Sequence, residues 1–250
     1  MIKNCGKFTV KVKQGTRLPC FCFYSATSTN YLAKVFVGEN RLERPAVIIA
    51  KSQTQGRGRY DRSFISPEGG LYMTYISPAN EGFSLWAIMS AVAVSRALMR
   101  AGIHATIKWP NDLKIDGKKI CGILPESVVT DKRYVLMGIG VNVNTKEEAL
   151  GDVKDIATSV YITTGKRMSV KRFARILVKE LYSVFELEDT EDLFDEYNRR
   201  CETLSKQVED SEGFSGIATA LTEDGSLVIT RGEEEKEINW GEICYVGYEK

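Results

Sequence analysis

The chain has 250 residues, 43% hydrophobic and 27% charged, which is enough for one large domain or two unequal ones, each with its own core. With 34 Lys and Arg against 33 Asp and Glu, the formal net charge is +1, so no global field steers the chain onto nucleic acid or an anionic membrane. Any anion site must be local.

No apolar run reaches the span of a bilayer, and the opening "MIKNCGKFTVKVKQG" has neither the apolar core nor the cleavage pattern of a signal peptide. A cytoplasmic protein is therefore predicted, with no membrane partner. Cys5, Cys20, Cys22, Cys121, Cys201 and Cys244 are scattered and include no C-x-x-C, which favours free thiols. His104 is the only histidine, so a zinc site or a histidine-based nucleophile machine has little to stand on.

The first element is the helical run "YLAKVF", preceded by Ser28, Thr29 and Asn30. That polar trio is either an ordinary helix N-cap or a cluster of hydroxyls and an amide able to bind a small polar ring. "RPAVIIA" (44–50) reads as a short buried strand and "GLYMTYIS" (70–77) as another. Between them lies "KSQTQGRGRYDRSF", with Arg57, Arg59 and Arg62 on a glycine-bearing loop. Such a loop is either a basic surface turn or one whose backbone and guanidinium forks close on phosphate or carboxylate. P-loop and Rossmann readings fail, because neither G-x-x-x-x-G-K-S/T nor a complete G-x-G-x-x-G is present.

"FSLWAIMSAVAVSRALMRAG" (83–102) has helical apolar spacing and closes on a glycine, which predicts a core helix. Three β-like segments follow over 105–144 and suggest a meander or mixed sheet. They carry the turn "KWPND" (108–112), the Lys119-bearing "GKKICGILPE" (117–126) and "GIGVNVN" (138–144), whose asparagines share one strand face. A second helical stretch spans about 169–201, with Phe173, Ile176, Leu177, Leu181 and Phe185 on its apolar side. From 214 to 246, short strands with "EDG" and "RGE" turns suit a small barrel or sandwich packed on the larger domain. "GEEEKE" reads as a solvated hairpin turn. No repeat or low-complexity segment is present.

Taken together and in order, "STN", "GRGR", "KWPND", "KKICGILPE" and "GIGVNVN" resemble the catalytic domain of biotin protein ligases from about Tyr24 to Tyr161, and "GIATALTEDGSLVI…INWGEI" resembles that family's small C-terminal domain. The resemblance implies an α+β fold, a mixed β-sheet flanked by helices like that of class II aminoacyl-tRNA synthetases, with a catalytic domain at 1–202 and an SH3-like barrel at 203–250. Only 27 residues precede Ser28, so the DNA-binding winged helix of some members is not expected, nor a nucleic-acid partner. The implied reaction is attack of the biotin carboxylate on ATP to give biotinyl-5'-AMP, then transfer to a lysine of a biotin carrier domain in a carboxylase or decarboxylase.

In that reading Arg57, Lys119 and Asp112 are catalytic. Ser28, Thr29, Asn30, Gln53, Gly56, Arg57, Gly58, Arg59, Lys119, Gly122, Leu124, Gly138 and Gly140 contact biotin. Arg59, Arg62, Phe64, Lys108, Asn111 and Asn142 serve ATP. Mg²⁺ accompanies ATP, held by phosphate oxygens and water with Asn111, Asp112 or Asn142 nearby and no certain protein ligand set. The arginine loop is expected to order over the ligands and shield the adenylate. Departures from the family pattern are Tyr60 and Asp61 within the cationic run, Phe64 where Trp is usual, and Pro125, which removes a strand donor. A lipoate or octanoate ligase of the same fold, or a non-enzymatic biotin sensor, are the alternatives. A homodimer through "RYVLMGIGV" as a sheet edge stands against an internal strand, which is the preferred reading.

Overall fold

The computed structural model describes residues 4–39, 45–78, 83–187 and 189–246. An N-terminal hairpin of β1 (Asn4–Lys13) and β2 (Thr16–Phe23) leads into α1 (Thr29–Gly38), β3 (Ala46–Ala50), β4 (Leu71–Pro78) and α2 (Phe83–Arg100). A meander of β5 (Thr106–Lys108), β6 (Asp112–Ile115), β7 (Lys118–Val129) and β8 (Arg133–Val141) follows. Next come α3 (Val160–Thr164), α4 (Val170–Phe185) and α5 (Glu191–Arg200), then β9 (Gln207–Asp210), β10 (Ser215–Leu221), β11 (Leu227–Arg231), β12 (Glu234–Ile238) and β13 (Ile243–Tyr245).

The first eight strands form one mixed sheet in the order β1-β2-β3-β4-β8-β7-β6-β5, parallel between β2 and β3 and otherwise antiparallel. Its two faces are sorted by the period-2 alternation of strand side chains. In β8, Val135, Met137, Ile139 and Val141 enter a core shared with α2 and α4, while Tyr134 and Leu136 pack with α1. The predicted mixed sheet with flanking helices is present. β8 is paired on both sides, so it is an internal strand and offers no edge.

Helix α2 ends as its sequence implies. Gly102 takes φ +78°, and Gly102 N–H and Ile103 N–H donate to Met99 O and Leu98 O, which satisfies two terminal carbonyls. The long helix expected over 169–201 is two: α4 ends at Phe185, and Asp189 Oδ1 accepts from Glu191 N–H at the start of α5. Arg96 of α2 and Arg200 of α5 both grip Glu196, which ties the second piece back to the core helix. Burial opposes ionisation of Glu196, but the two guanidiniums outweigh it and hold its carboxyl below the usual range.

The last five strands form a separate antiparallel sheet, β12-β11-β10-β9-β13, where a small barrel or sandwich was expected, and among the described residues no pairing of β12 with β13 closes it. Its Val208, Ala218, Leu227, Ile229 and Ile243 join the same buried core as α2 and α4. The "GEEEKE" run is only partly a turn. Residues 234–238 form edge strand β12, whose charges face water along an unpaired side. Pro125 lies inside β7 opposite Met137 without a shift of register, because β6 pairs with β7 only as far as Gly122 and leaves that side without a ladder to break.

Leu177 is fully buried on the α4 face that packs on α2. Leu177→Ala is expected to cost about 2–5 kcal/mol, read as a lower urea midpoint with unchanged slope.

Candidate active site

A cavity of about 270 Å³ opens on the α1 side of the large sheet. It exists because three positions facing it, Gly122 on β7 and Gly138 and Gly140 on β8, carry no side chain. Gly122 pairs with Gly140, and Gly138 with Leu124, so the gap runs across two adjacent strands. The rim comes from the start of α1, the arginine loop, the turn at 111–112, the segment with Leu150, Val153 and Ile156, and Glu242 of the C-terminal sheet.

The glycine floor is partly covered by the protein's own side chains. A Cβ on Gly140 would lie 2.5 Å from the Phe64 ring, and one on Gly122 would meet both that ring and the Lys119 stem at 3.0–3.1 Å. A Cβ on Gly138 would meet the Asn30 amide at 2.5 Å. Phe64 therefore lies over the floor at one end, 6.5 Å from the Tyr72 ring, and Asn30 fills it at the other.

Ser28 stands at the N-cap of α1 in extended conformation, yet its hydroxyl makes no cap bond. It is buried beside the cavity, so the ordinary-cap reading fails and a buried hydroxyl is left for another partner. Gln53 Oε1 accepts from Thr29 N–H at 2.8 Å and from its hydroxyl at 3.2 Å, while Gln53 Nε2 donates to Ser66 Oγ. Gln53 thus orients Thr29 at the cavity wall.

The arginine loop is a formed hairpin. Tyr60 and Asp61 both take positive φ, Arg62 N–H donates to Arg59 O, and Gly58 N–H donates to Arg62 O at 2.7 Å. Tyr60 and Asp61, two of the departures from the family pattern, are thus the residues that make the tight turn. Two positional expectations change as a result. The Gly58 N–H is used inside the hairpin, and Gly56 lies against Phe64 O and Ser66 Oγ, away from the cavity lining.

The three arginines differ in their attachments. Arg59 reaches Asn111 Oδ1 at 3.1 Å, Gly241 O, and the Trp240 ring at 4.4 Å. Its burial lowers its pKa from the ordinary guanidinium value. Arg62 is paired with Glu242. Among the described residues Arg57 has no side-chain partner, and it lines the cavity.

Opposite the hairpin, Lys119 Nζ lies 2.7 Å from Asp112 Oδ1. A bulge aims this lysine: Leu113 pairs with Cys121 and Lys114 with Lys119, leaving Ile120 out of the β6 ladder. Lys119 N–H also donates to Ile156 O, which fastens the apolar rim segment beside it. Asn111 is bound to both neighbours, with Nδ2 donating to Ile123 O at 2.7 Å and Oδ1 accepting from Arg59. Asn142 Nδ2 donates to Thr158 O, and its Oδ1 is buried with no hydrogen-bond partner. Lys108 is not at the cavity. It lies 4.9 Å from the Tyr245 ring of the C-terminal sheet, and burial lowers its pKa.

The sequence reading missed Ser63, Ile65, Leu150, Val153, Ile156 and Ala157 in the lining, and the whole contribution of residues 240–242. The apolar trio Leu150, Val153 and Ile156 carries a readable short-helix spacing. Residues 240–242 carry no local signal, since their partners lie about 180 positions away.

Residues 21–144 match the model of the Biotin/lipoate A/B protein ligase family. The chain is 31% identical over 228 residues to the Bifunctional ligase/repressor BirA of Bacillus spizizenii, covering 83% of this chain and 68% of that protein. Over 147 residues it is 33% identical to the Biotin--[acetyl-CoA-carboxylase] ligase of Paracoccus denitrificans, covering 54% of this chain and 61% of that one. The solved biotin protein ligase of Aquifex aeolicus, in complex with biotin and ATP, superposes with a TM-score of 0.80 at 30% identity, covering 90% of this chain and 97% of that one.

Loss of the Arg62–Glu242 pair should loosen the hairpin without unfolding the chain. An exposed pair of this kind is worth about 0.2–1 kcal/mol, so Glu242→Ala is expected to speed limited trypsin cleavage within 57–62 by about 1.5- to fivefold.

Proposed function

The chain belongs to the Biotin/lipoate A/B protein ligase family, and from that premise we propose that it activates biotin with ATP to biotinyl-5'-AMP and then transfers the biotinyl group to a protein lysine. The observation that carries this reading is the juxtaposition, around one glycine-floored cavity, of an unengaged Arg57 with the Lys119–Asp112 pair.

In the first half-reaction a carboxylate must approach a phosphate, so the protein has to neutralise charge and fix geometry. Arg57 is free to bind both anions as they meet. Lys119 leaves Asp112 for the oxygens on which charge grows, and Arg62 exchanges Glu242 for the polyphosphate. Arg59 stays on Trp240 and Asn111 and holds the hairpin in place. Ser28 and Thr29 supply hydrogen bonds to the ureido ring, which must be satisfied if buried. Leu150, Val153 and Ile156 keep water from the mixed anhydride. In the second half-reaction Asp112, freed from Lys119, orients the incoming ammonium and takes its proton.

Mg²⁺ accompanying ATP would offset charge on the phosphates. No group of three His, Cys, Asp or Glu side chains able to hold a metal occurs among the described residues, whereas Asn142 Oδ1 is a buried oxygen without a partner on the cavity lining. Such a lining fits a phosphate-borne ion better than an all-protein site, and Asn142 Oδ1 and the Asp112 carboxylate are the lining oxygens that would hold it.

The proposed acceptor is the biotin carrier domain of a carboxylase, the enzyme class in the name of the Paracoccus denitrificans relative. The division at residue 202 between a catalytic unit and an appended C-terminal one belongs to the same proposal. No helix among the described residues is long and apolar enough to cross a membrane.

Biotin, and not lipoate, is expected to provoke pyrophosphate release from ATP, and labelled biotin should pass to an apo carrier domain. Equal response to lipoate would point to the sister activity, and release without transfer would defeat the second step. Arg57→Ala is expected to slow adenylate formation by about 10²–10³-fold, the loss seen for one oriented donor to a transition-state anion.

A further inference from the structure

We propose that Asn30, Glu126 and Lys34 form a positioning bracket that holds the first turn of α1 across three strands and thereby presents Ser28 and Thr29 to the ligand. Asn30 then acts through its neighbours and does not itself bind biotin. The inference rests on the functional reading above only for the identity of the ligand.

The bracket follows from hydrogen-bond accounting. A primary amide has two N–H donors and one carbonyl oxygen. Asn30 Nδ2 donates to Leu124 O at 3.2 Å and Glu126 Oε2 at 2.6 Å, while Oδ1 accepts from Thr74 Oγ1 at 2.6 Å. Both donors and the acceptor are engaged, and the residue is only 5% exposed, so little remains for a ligand. The partners lie on β7 and β4, the two strands that flank β8, and the amide crosses β8 where Gly138 leaves room. One helical turn later, Lys34 Nζ lies 2.5 Å from Glu126 Oε1, so the carboxylate is gripped from two positions of the same helix.

This arrangement substitutes for what α1 lacks. Ser28 makes no side-chain cap bond and no acidic residue lies in the first turn, so Gln53, which accepts from Thr29 N–H, and the bracket on Asn30 together fix the helix start. The bond from Asn30 to an ionised, partly buried carboxylate is of the strong kind. A plain fold staple would lower stability and affect both substrates alike. A positioning bracket beneath Ser28 and Thr29 affects biotin and leaves ATP aside.

The test uses the full chain and its Glu126→Ala, Glu126→Gln and Lys34→Ala variants. Two quantities are read: biotin-dependent ATP–pyrophosphate exchange with each substrate varied, and amide hydrogen exchange over residues 29–34. Glu126→Ala is expected to raise the KM for biotin at least tenfold, the worth of one hydrogen bond to a charged group, with the KM for ATP and kcat within about twofold. Exchange over 29–34 should quicken by a similar factor. Glu126→Gln keeps an acceptor for Asn30 and should recover most of the biotin affinity. If Glu126→Ala does not fold, Lys34→Ala carries the comparison, with an expected shift of about threefold.

An unchanged KM for biotin, an equal loss toward ATP, or native protection over 29–34 in the alanine variants would overturn the bracket. A parent protein that ignores biotin altogether would defeat the functional reading, and hydrogen exchange alone would then decide the bracket.

Discussion

A sheet face that lacks side chains cannot close its own core, and the rest of this molecule is arranged around that fact. Gly122, Gly138 and Gly140 leave a gap across β7 and β8 between a helix-covered core on one side and α1 on the other. Filling it with ordinary aliphatic residues would add burial worth about 1.5–3 kcal/mol each. The chain instead places one aromatic ring and one fully bonded amide there and leaves the remaining space to a ligand. The opposite face of the same strands is packed with Val135, Met137, Ile139 and Val141, so the cavity is shaped by a rigid wall.

Apart from Arg57, the cations lining the gap are already engaged before a ligand arrives. Lys119 has Asp112, Arg62 has Glu242, and Arg59 has Asn111 and Trp240. Each arrangement lowers the cost of holding a positive charge near a partly buried surface and keeps the side chain close to where it is used. On the proposed function, a polyanionic ligand exchanges partners with Lys119 and Arg62 while Arg59 keeps its own. Such exchange is nearly balanced in energy and strongly selective for charge, whereas binding to bare, mobile cations would require ordering them first.

Much of this was legible from residues alone, but unevenly. Five co-linear motifs pointed to the right sheet face, and the Ala-rich helix, the meander and the arginine loop were all placed within a few residues. The N-terminal hairpin was not foreseen, although Phe8, Val10 and Val12 alternate with Lys7, Thr9 and Lys11 as a strand should. "GEEEKE" misled because a charged edge strand and a solvated turn share a composition. Asn30, Gly122 and Gly140 were placed at the site and do line the cavity. That the Phe64 ring and the Asn30 amide lie over the glycines depends on parts of the chain distant in sequence, and no local pattern encodes that. The same holds for Glu242, whose partner is distant in sequence and near only after both sheets have formed.

Trp109 gives the C-terminal sheet a further meaning. Its indole N–H donates to Gly225 O and its backbone N–H to Thr203 Oγ1, so the turn that carries Asn111 and Asp112 is anchored in the later strands. The C-terminal sheet therefore holds in place a turn about a hundred residues earlier in the chain. Cutting it away would strip the indole of its acceptor, bare a shared apolar seam, and leave the cavity-lining turn without a foundation, so the two sheets stand or fall together.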